Sequence, residues 1–481
     1  MSNSQQIKLH TVHFEELPEK QEKKYIVYAL LGNSYGDEGK GGRLRHYLIE
    51  AGGRKAKYCI RFNGSANAGH TVVLKPSDPH LIITDKKRAT YLTPIKFATH
   101  QIPTGVLFGV QSIIGYGTAV DLLKLHKEIN EIAEQLGRTY QEIASLFTIV
   151  PEAHVVLPEH IKQDKENDQV GSTGSGVGPV YAAKALRTGF RIEQYYQRHN
   201  DSKFRELTEQ IKKLDSTSFT NNKILGIEIK SCKKLAIWLV DGDVVVMEGA
   251  QGYELDPDHG GYPFGTSSIC TIAGTCAYGL NLNYYYIVGC TKAYTTYVGK
   301  DIKEEGFEYN VKHKGLGALL RYLGKEFGVT TGRSRQCLPL NLDKELEALL
   351  INQTNDWIIS KTDILKEYDE LLQILDQMYT NKELLQKVGQ EFQAKISITD
   401  NQIVRQYTKD TDYNWDLYKT LIDRGAFSLV HNSKHLIFRT WKEMKQYISQ
   451  TVRNADLPRL KKIYWFDTPE SEVNFEKEVS S

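Results

Sequence analysis

The stretch "GNSYGDEGKGG", Gly32 to Gly42, follows the apolar run "YIVYALL" and has the makeup of a turn that leads a strand into a helix. Glycines let backbone N–H groups close on an anion, and the N-terminus of a following helix favours negative charge, so a turn of this kind suits phosphate. A Walker-type loop needs G-x-x-x-x-G-K-[ST]. Here Ser34 stands in place of its first glycine, and Gly41 in place of the hydroxyl residue that would hold magnesium. Asp37 and Glu38 lie inside the loop. A carboxylate repels phosphate unless a metal ion or a proton lies between, so Asp37 is expected to do chemistry there. Glu38 is read as a helix N-terminal acid that steadies the helix dipole, worth at most about 1 kcal/mol.

Other Gly-rich stretches carry groups suited to a phosphate or a nucleobase. "NGSANAGHT" sets Asn67, His70 and Thr71 around Gly69, and "GSTGSGVGP" places Thr173 in a turn dense in backbone donors, with Arg187 beyond it. "EGAQGYELDPDHGGYPFGTSS" holds Gln251, His259 and Thr266. In "GVTTGRSRQ", Thr330 and Thr331 precede Arg333 and Arg335.

Such residues need elements to position them, and the chain reads as layered α/β. Short apolar runs, "KYIVYALLG", "AKYCIRF", "QSIIGYG", "FTIV", "VVVMEGA", "YYYIVGCTKAY" and "WIISKTDIL", are expected strands. Between them "AVDLLKLHKEINEIAEQLG" and "KFRELTEQIKKL" carry apolar residues at helical spacing, which predicts a mainly parallel sheet. "KEYDELLQILDQMYTNKELLQKV" is a further expected helix, and the tail from Tyr447 is mixed and charged. Residues 1–24 are polar and read as an extension. With 61 basic and 59 acidic side chains, no excess of charge points to nucleic acid or a membrane surface. The 6 cysteines show no C-x-x-C spacing and fit free thiols in a reducing cytoplasm. No apolar run approaches a membrane span, and cytoplasmic location is the expectation.

The order and spacing of "GDEGKG", "NAGHT", "GSTGSGVGP", "EGAQGYELDPDHGGYP", "KAYTT" and "TTGRSR", from about Tyr25 to Leu365, resemble the adenylosuccinate synthetases. That family joins aspartate to inosine monophosphate (IMP) at the expense of GTP. The resemblance implies one large α/β domain around a mostly parallel sheet, related to P-loop NTPases, over residues 25–481 and divergent from about residue 366. It also implies roles for named residues. Asp37 takes the N1 proton of the base and binds Mg2+ together with the Gly69 carbonyl. His70 donates to the transferring phosphoryl group, Lys40 touches the β/γ-phosphates, and Gln251 lies near the reacting 6-position. Asn67, Thr173, Thr266 and Arg333 belong with IMP, as does Arg187, which the family donates to a partner subunit, so a homodimer is implied. Thr330, Thr331, Arg333 and Arg335 form the aspartate pocket, since two guanidinium forks hold a dicarboxylate well. Gly36, Gly39, Gly41, Gly69, His70 and Thr71 line the GTP phosphates, and Lys361 and Asp363 of "KTDIL" read guanine.

Departures accompany the likeness. Gly42 replaces a lysine of the family, Arg45 replaces an acid, Ser175 and Tyr297 each replace an arginine, and "YWFDTPESE" stands where an S-x-G-P-x-R turn would finish the guanine pocket. Two other readings therefore stay open. One is a related ligase with a different purine nucleotide, amine or triphosphate donor; the other is a nucleotide-binding regulatory protein without turnover. Retention of Asp37, Lys40, His70, Gln251, Arg333 and Arg335 favours an enzyme.

Overall fold

The computed structural model describes residues 23–74, 95–166, 172–298, 320–321, 323–327, 335–366, 369 and 427–466. An 11-stranded sheet forms its centre. Its strands lie in the order Lys462–Trp465, Asp356–Ser360, Tyr285–Lys292, Ile26–Gly32, Val244–Glu248, Tyr58–Gly64, Gln111–Val120, Phe147–Ile149, Ile227–Ile229 and Lys223–Ile224, and His154–Val155 also pairs with Gln111–Val120. Every pairing is parallel except that between Ile227–Ile229 and Lys223–Ile224. Parallel strands are covered on both faces and so tolerate no polar alternation. Val244–Glu248 and Asp356–Ser360 are accordingly buried at every position.

Each apolar run expected to be a strand lies in this sheet. The stretch from Ala119 to Gly137 splits: Ala119 and Val120 finish a strand, Asp121 caps Lys124 N, and the helix Leu122–Leu136 stops at left-handed Gly137. "WIISKTDIL" also divides. The strand ends at Ser360, Lys361 turns with φ 64°, and Thr362 begins a helical stretch. The expected helix beyond Lys366 lies almost wholly outside the described residues.

The charged tail is more ordered than its composition suggests. Trp441–Asn454 is a helix with a Thr440–Glu443 capping box, and Lys462–Trp465 pairs in register with Asp356–Ile359 as the edge strand. Lys23 and Lys24, at the end of the polar N-terminal stretch, bond Ile237 O and Asp241 Oδ1 at 2.9 Å each.

Because the central strands share one direction, their carboxyl ends open on one edge. The loops after Gly32, Gly64, Glu248, Lys292 and Ser360 all leave from that edge. Signature stretches far apart in the chain are thereby gathered.

Candidate active site

The loop after Gly32 turns on left-handed Gly36, Asp37 and Gly39 and delivers Lys40 to the first turn of the helix Lys40–Ile49. Glu38 is buried beneath it, where one carboxylate oxygen accepts from Gly36 N at 2.7 Å and Ser34 N at 3.2 Å and the other faces Lys40 Nζ. The dipole reading of Glu38 is corrected here: it organises the loop from inside, holding its N–H groups and its lysine together. Lys40 Nζ also donates to Gln251 O at 2.6 Å. Gly41 lies against the second signature loop, where an added Cβ would come within 2.5 Å of Thr71 O and 3.1 Å of His70 Cβ. No hydroxyl-bearing residue fits there.

Asp37 points the other way and keeps 39% of its side chain exposed. Its carboxylate meets Arg335 at 2.6 Å and Lys292 Nζ at 3.3 Å. Burial favours its neutral form, yet the two cations outweigh that and hold its pKa below the usual carboxylate value. Glu326 completes the cluster, binding Lys292 at 2.8 Å and Arg335 at 2.7 Å and accepting from Tyr294 Oη at 2.7 Å. Lys361 reaches Glu326 at 3.9 Å and donates to Gly324 O at 2.7 Å.

A second charged group surrounds His70. Its Nδ1 lies 2.6 Å from Glu248, which also takes Arg61 at 2.9 Å and the Thr104 N–H at 2.7 Å. Glu248 is fully buried, but Arg61 and His70 more than offset that and bring its pKa down to about 2. Burial, then Arg61, lowers the His70 pKa to about 4. At neutral pH the contact is therefore a neutral imidazole donating to a carboxylate, not an ion pair.

Gln251 is held left-handed at φ 59°, and its Oε1 accepts from Ser268 Oγ at 3.1 Å. Its Nε2, together with Asn67 Oδ1 and Arg335 Nε, is buried without a hydrogen-bond partner among the described residues. Orphaned polar atoms are what a polar ligand would satisfy. Thr173 Oγ1 bonds Ser175 Oγ at 3.1 Å, and Thr266 N bonds Leu255 O at 2.7 Å. His259 stacks on Tyr253 with centroids 5.3 Å apart, a supporting position in its loop. Tyr297 meets Tyr35 edge to face at 5.2 Å. Arg187 is exposed at the end of the helix Val177–Leu186, and its side chain has no bonding partner among the described residues. Thr330, Thr331 and Arg333 lie outside the described residues.

Sequence reading missed Arg61, Thr104, Glu248, Lys292 and Glu326. Arg61 had a usable signal, a cation inside the expected strand "AKYCIRF"; Glu248 and Lys292 begin motifs already picked out.

Residues 29–403 match the adenylosuccinate synthetase family. The adenylosuccinate synthetase of Thermodesulfovibrio yellowstonii is 33% identical over 396 residues, 77% of this chain and 84% of its own length. The chain belongs to the adenylosuccinate synthetase family. The enzyme of that name from Borrelia turicatae is 30% identical over 397 residues, 75% of this chain and 84% of that one. The structure of fully ligated adenylosuccinate synthetase from Plasmodium falciparum aligns with a TM-score of 0.51 at 28% identity, covering 71% of this chain and 77% of that one. Membership makes this protein an enzyme, a carbon–nitrogen ligase of purine biosynthesis with GTP-dependent chemistry.

Magnesium is the metal the family implies. Among the described residues no group of three or more His, Cys, Asp or Glu is arranged around a metal position. The synthetase site offers instead the part-exposed Asp37 carboxylate and the backbone carbonyl of Gly69. Few, hard oxygen donors fit Mg2+, which keeps waters and phosphate oxygens in its shell. No helix among the described residues is long and apolar enough to cross a membrane.

Proposed function

We propose that this synthetase joins L-aspartate to IMP at the expense of GTP, through 6-phosphoryl-IMP, giving adenylosuccinate, GDP and phosphate. The observation that carries the reading is the Asp37 carboxylate: it sits in the loop that bears Lys40 and is gripped by Arg335 of the "TTGRSR" stretch. This contact supports an acid shared between the loop read as the phosphate site and the stretch read as the dicarboxylate pocket. The purine 6-oxygen is a poor leaving group, so an amine can replace it only after activation, here by phosphoryl transfer.

Asp37 takes the N1 proton of IMP, which makes the 6-oxygen nucleophilic toward the γ-phosphoryl group of GTP. A carboxylate pinned by Arg335 and Lys292 is a weak base. Arg335 cannot serve Asp37 and an incoming dicarboxylate equally, so aspartate binding draws the guanidinium away and raises the basicity of Asp37. His70 is neutral in the free site, and the anionic phosphoryl group raises its proton affinity so that it donates as charge develops. Lys40 binds the β/γ-phosphates. Mg2+, held by Asp37 and the Gly69 carbonyl, would supply neutralisation of phosphate charge. The amine of aspartate then displaces phosphate from C6.

Asn67, Thr173, Thr266, Gln251 and Arg333 bind IMP; Thr330, Thr331, Arg333 and Arg335 hold aspartate; Gly36, Gly39, Gly41, Gly69, Thr71, Lys361 and Asp363 receive GTP. Arg187 completes the site of a partner subunit in a homodimer, and the exposed, unengaged position of its side chain supports that. The test is incubation of purified protein with IMP, aspartate, GTP and Mg2+, with products identified by mass. Formation of adenylosuccinate and GDP is expected. Absence of product with IMP but conversion of another purine nucleotide would reassign the acceptor.

A further inference from the structure

Several buried acids take no part in the chemistry above, and Glu345 is the one tied directly to the Asp37 loop. Glu345 lies in the helix Leu342–Ile351 with 1% of its surface exposed. Its Oε1 receives Ser34 Oγ at 2.6 Å and its Oε2 receives Thr291 Oγ1 at 2.6 Å. Thr291 has no choice in this. Its oxygen already accepts from Trp357 Nε1 at 2.8 Å and Asn33 Nδ2 at 3.3 Å, so its single proton must go to Glu345. Ser34 does have a choice: its hydroxyl donates to an ionised Glu345 or accepts from a protonated one.

Ser34 also ties Glu345 to the loop, because its N–H donates to Glu38 at 3.2 Å and its carbonyl accepts from Glu254 N at 3.2 Å. The groups that face Glu345 are Asn33, Ser34 and Glu38 from the loop and Thr291 from the strand Tyr285–Lys292; of these only Glu38 is charged. On its own helix, Lys344 pairs with Glu347 and Asp343 accepts from Asn432 N and Ser433 N. Two carboxylates thus lie under one anion-binding turn. We propose that Glu345 positions the loop through Ser34 and takes up a proton when a polyphosphate binds there. The idea rests on the loop being the phosphate site. Burial, with Glu38 adding to it, pushes Glu345 up to about 7 despite the Ser34 and Thr291 bonds, so its proton is exchangeable near neutrality. An arriving anion raises the proton affinity further.

The probe is GDP with Mg2+, its affinity measured from pH 6 to 8.5 by calorimetry in buffers of different ionisation enthalpy. Wild type is expected to take up protons on binding above neutral pH and to lose affinity as pH rises, by up to about tenfold per unit for one linked proton. The Glu345→Gln variant keeps the shape and loses both effects. Titration of the nucleotide's own phosphate is common to both proteins and drops out of the difference. Ser34→Ala strands an acceptor on Glu345, holds it protonated, and also abolishes uptake. Equal proton uptake by wild type and Glu345→Gln would overturn the proposal while leaving the synthetase reading intact. Absence of nucleotide binding by wild type would overturn both.

Discussion

Asp37 and His70 occupy comparable places beside the phosphate loop, and their surroundings drive them in different directions. Asp37 is kept ionised by Lys292 and Arg335, while His70 is kept neutral by burial and Arg61. Asp37→Asn preserves the shape and removes the proton acceptor. Turnover with IMP, aspartate and GTP is expected to fall by at least about 10²-fold, with GDP binding retained; steady-state rates and calorimetry check this, and near-wild-type rates would place the base elsewhere. His70 gives a pH signature. Its folded pKa of about 4 lies below the ordinary 6.5, so between those values the unfolded chain binds more protons. The stability His70 contributes is complete above about 6.5 and is lost as pH falls toward 4. Urea unfolding at pH 5 and pH 7.5 should therefore show wild type gaining stability with pH and His70→Asn gaining less. Identical slopes would mean that the imidazole is not held neutral.

The turn that ends the strand Asp356–Ser360 carries the proposed guanine contact, Asp363. Lys361 is left-handed, Thr362 N bonds Phe466 O at 3.0 Å, and Phe466 N bonds Ile359 O at 2.8 Å. The tail strand thus flanks Asp363, although it lacks the S-x-G-P-x-R turn expected of the family. Arg43 lies 3.6 Å over the Phe466 ring and ties the first helix to the same corner. A carboxylate acceptor suits the guanine N1–H and 2-amino group and leaves adenine unmatched. GTP is expected to be preferred over ATP, with measurable use of ATP, and Asp363→Asn should narrow the gap in kcat/KM. A preference unchanged by the mutation would assign base reading to other residues.

At the scale of the whole molecule, Arg187 is the outlier. The other described site residues gather at the carboxyl edge of the sheet or in loops packed against it, while Arg187 projects from a helix end into solvent. If it serves a partner's site, Arg187→Ala and Asp37→Ala proteins should each be nearly inactive. Their mixture, once subunits exchange, should recover up to about a quarter of wild-type activity, because random pairing makes half the dimers mixed and each of those has one intact site. Subunit exchange shown by mass without any recovery would place Arg187 in its own chain's site or in none.

The sequence by itself determined seven strands of the central sheet and the order of the motifs. Parallel strands must be apolar on both faces, and Gly-rich phosphate turns constrain residue type locally, so both can be read in the chain. The family resemblance also made Arg335 a candidate for the aspartate pocket. It could not show that Arg335 grips Asp37 from across the site, or that Glu248, Lys292 and Glu326 complete the charge clusters, because those pairs form between segments tens to hundreds of residues apart. Glu38 read as a helix N-terminal acid because only the folded loop shows it buried. Glu345 gave no signal, since an acid in a helix's first turn is ordinary until the sheet is packed beneath it. The edge strand Lys462–Trp465 was hidden for the same reason: an edge strand is short, flanked by charge, and defined by the neighbour it pairs with.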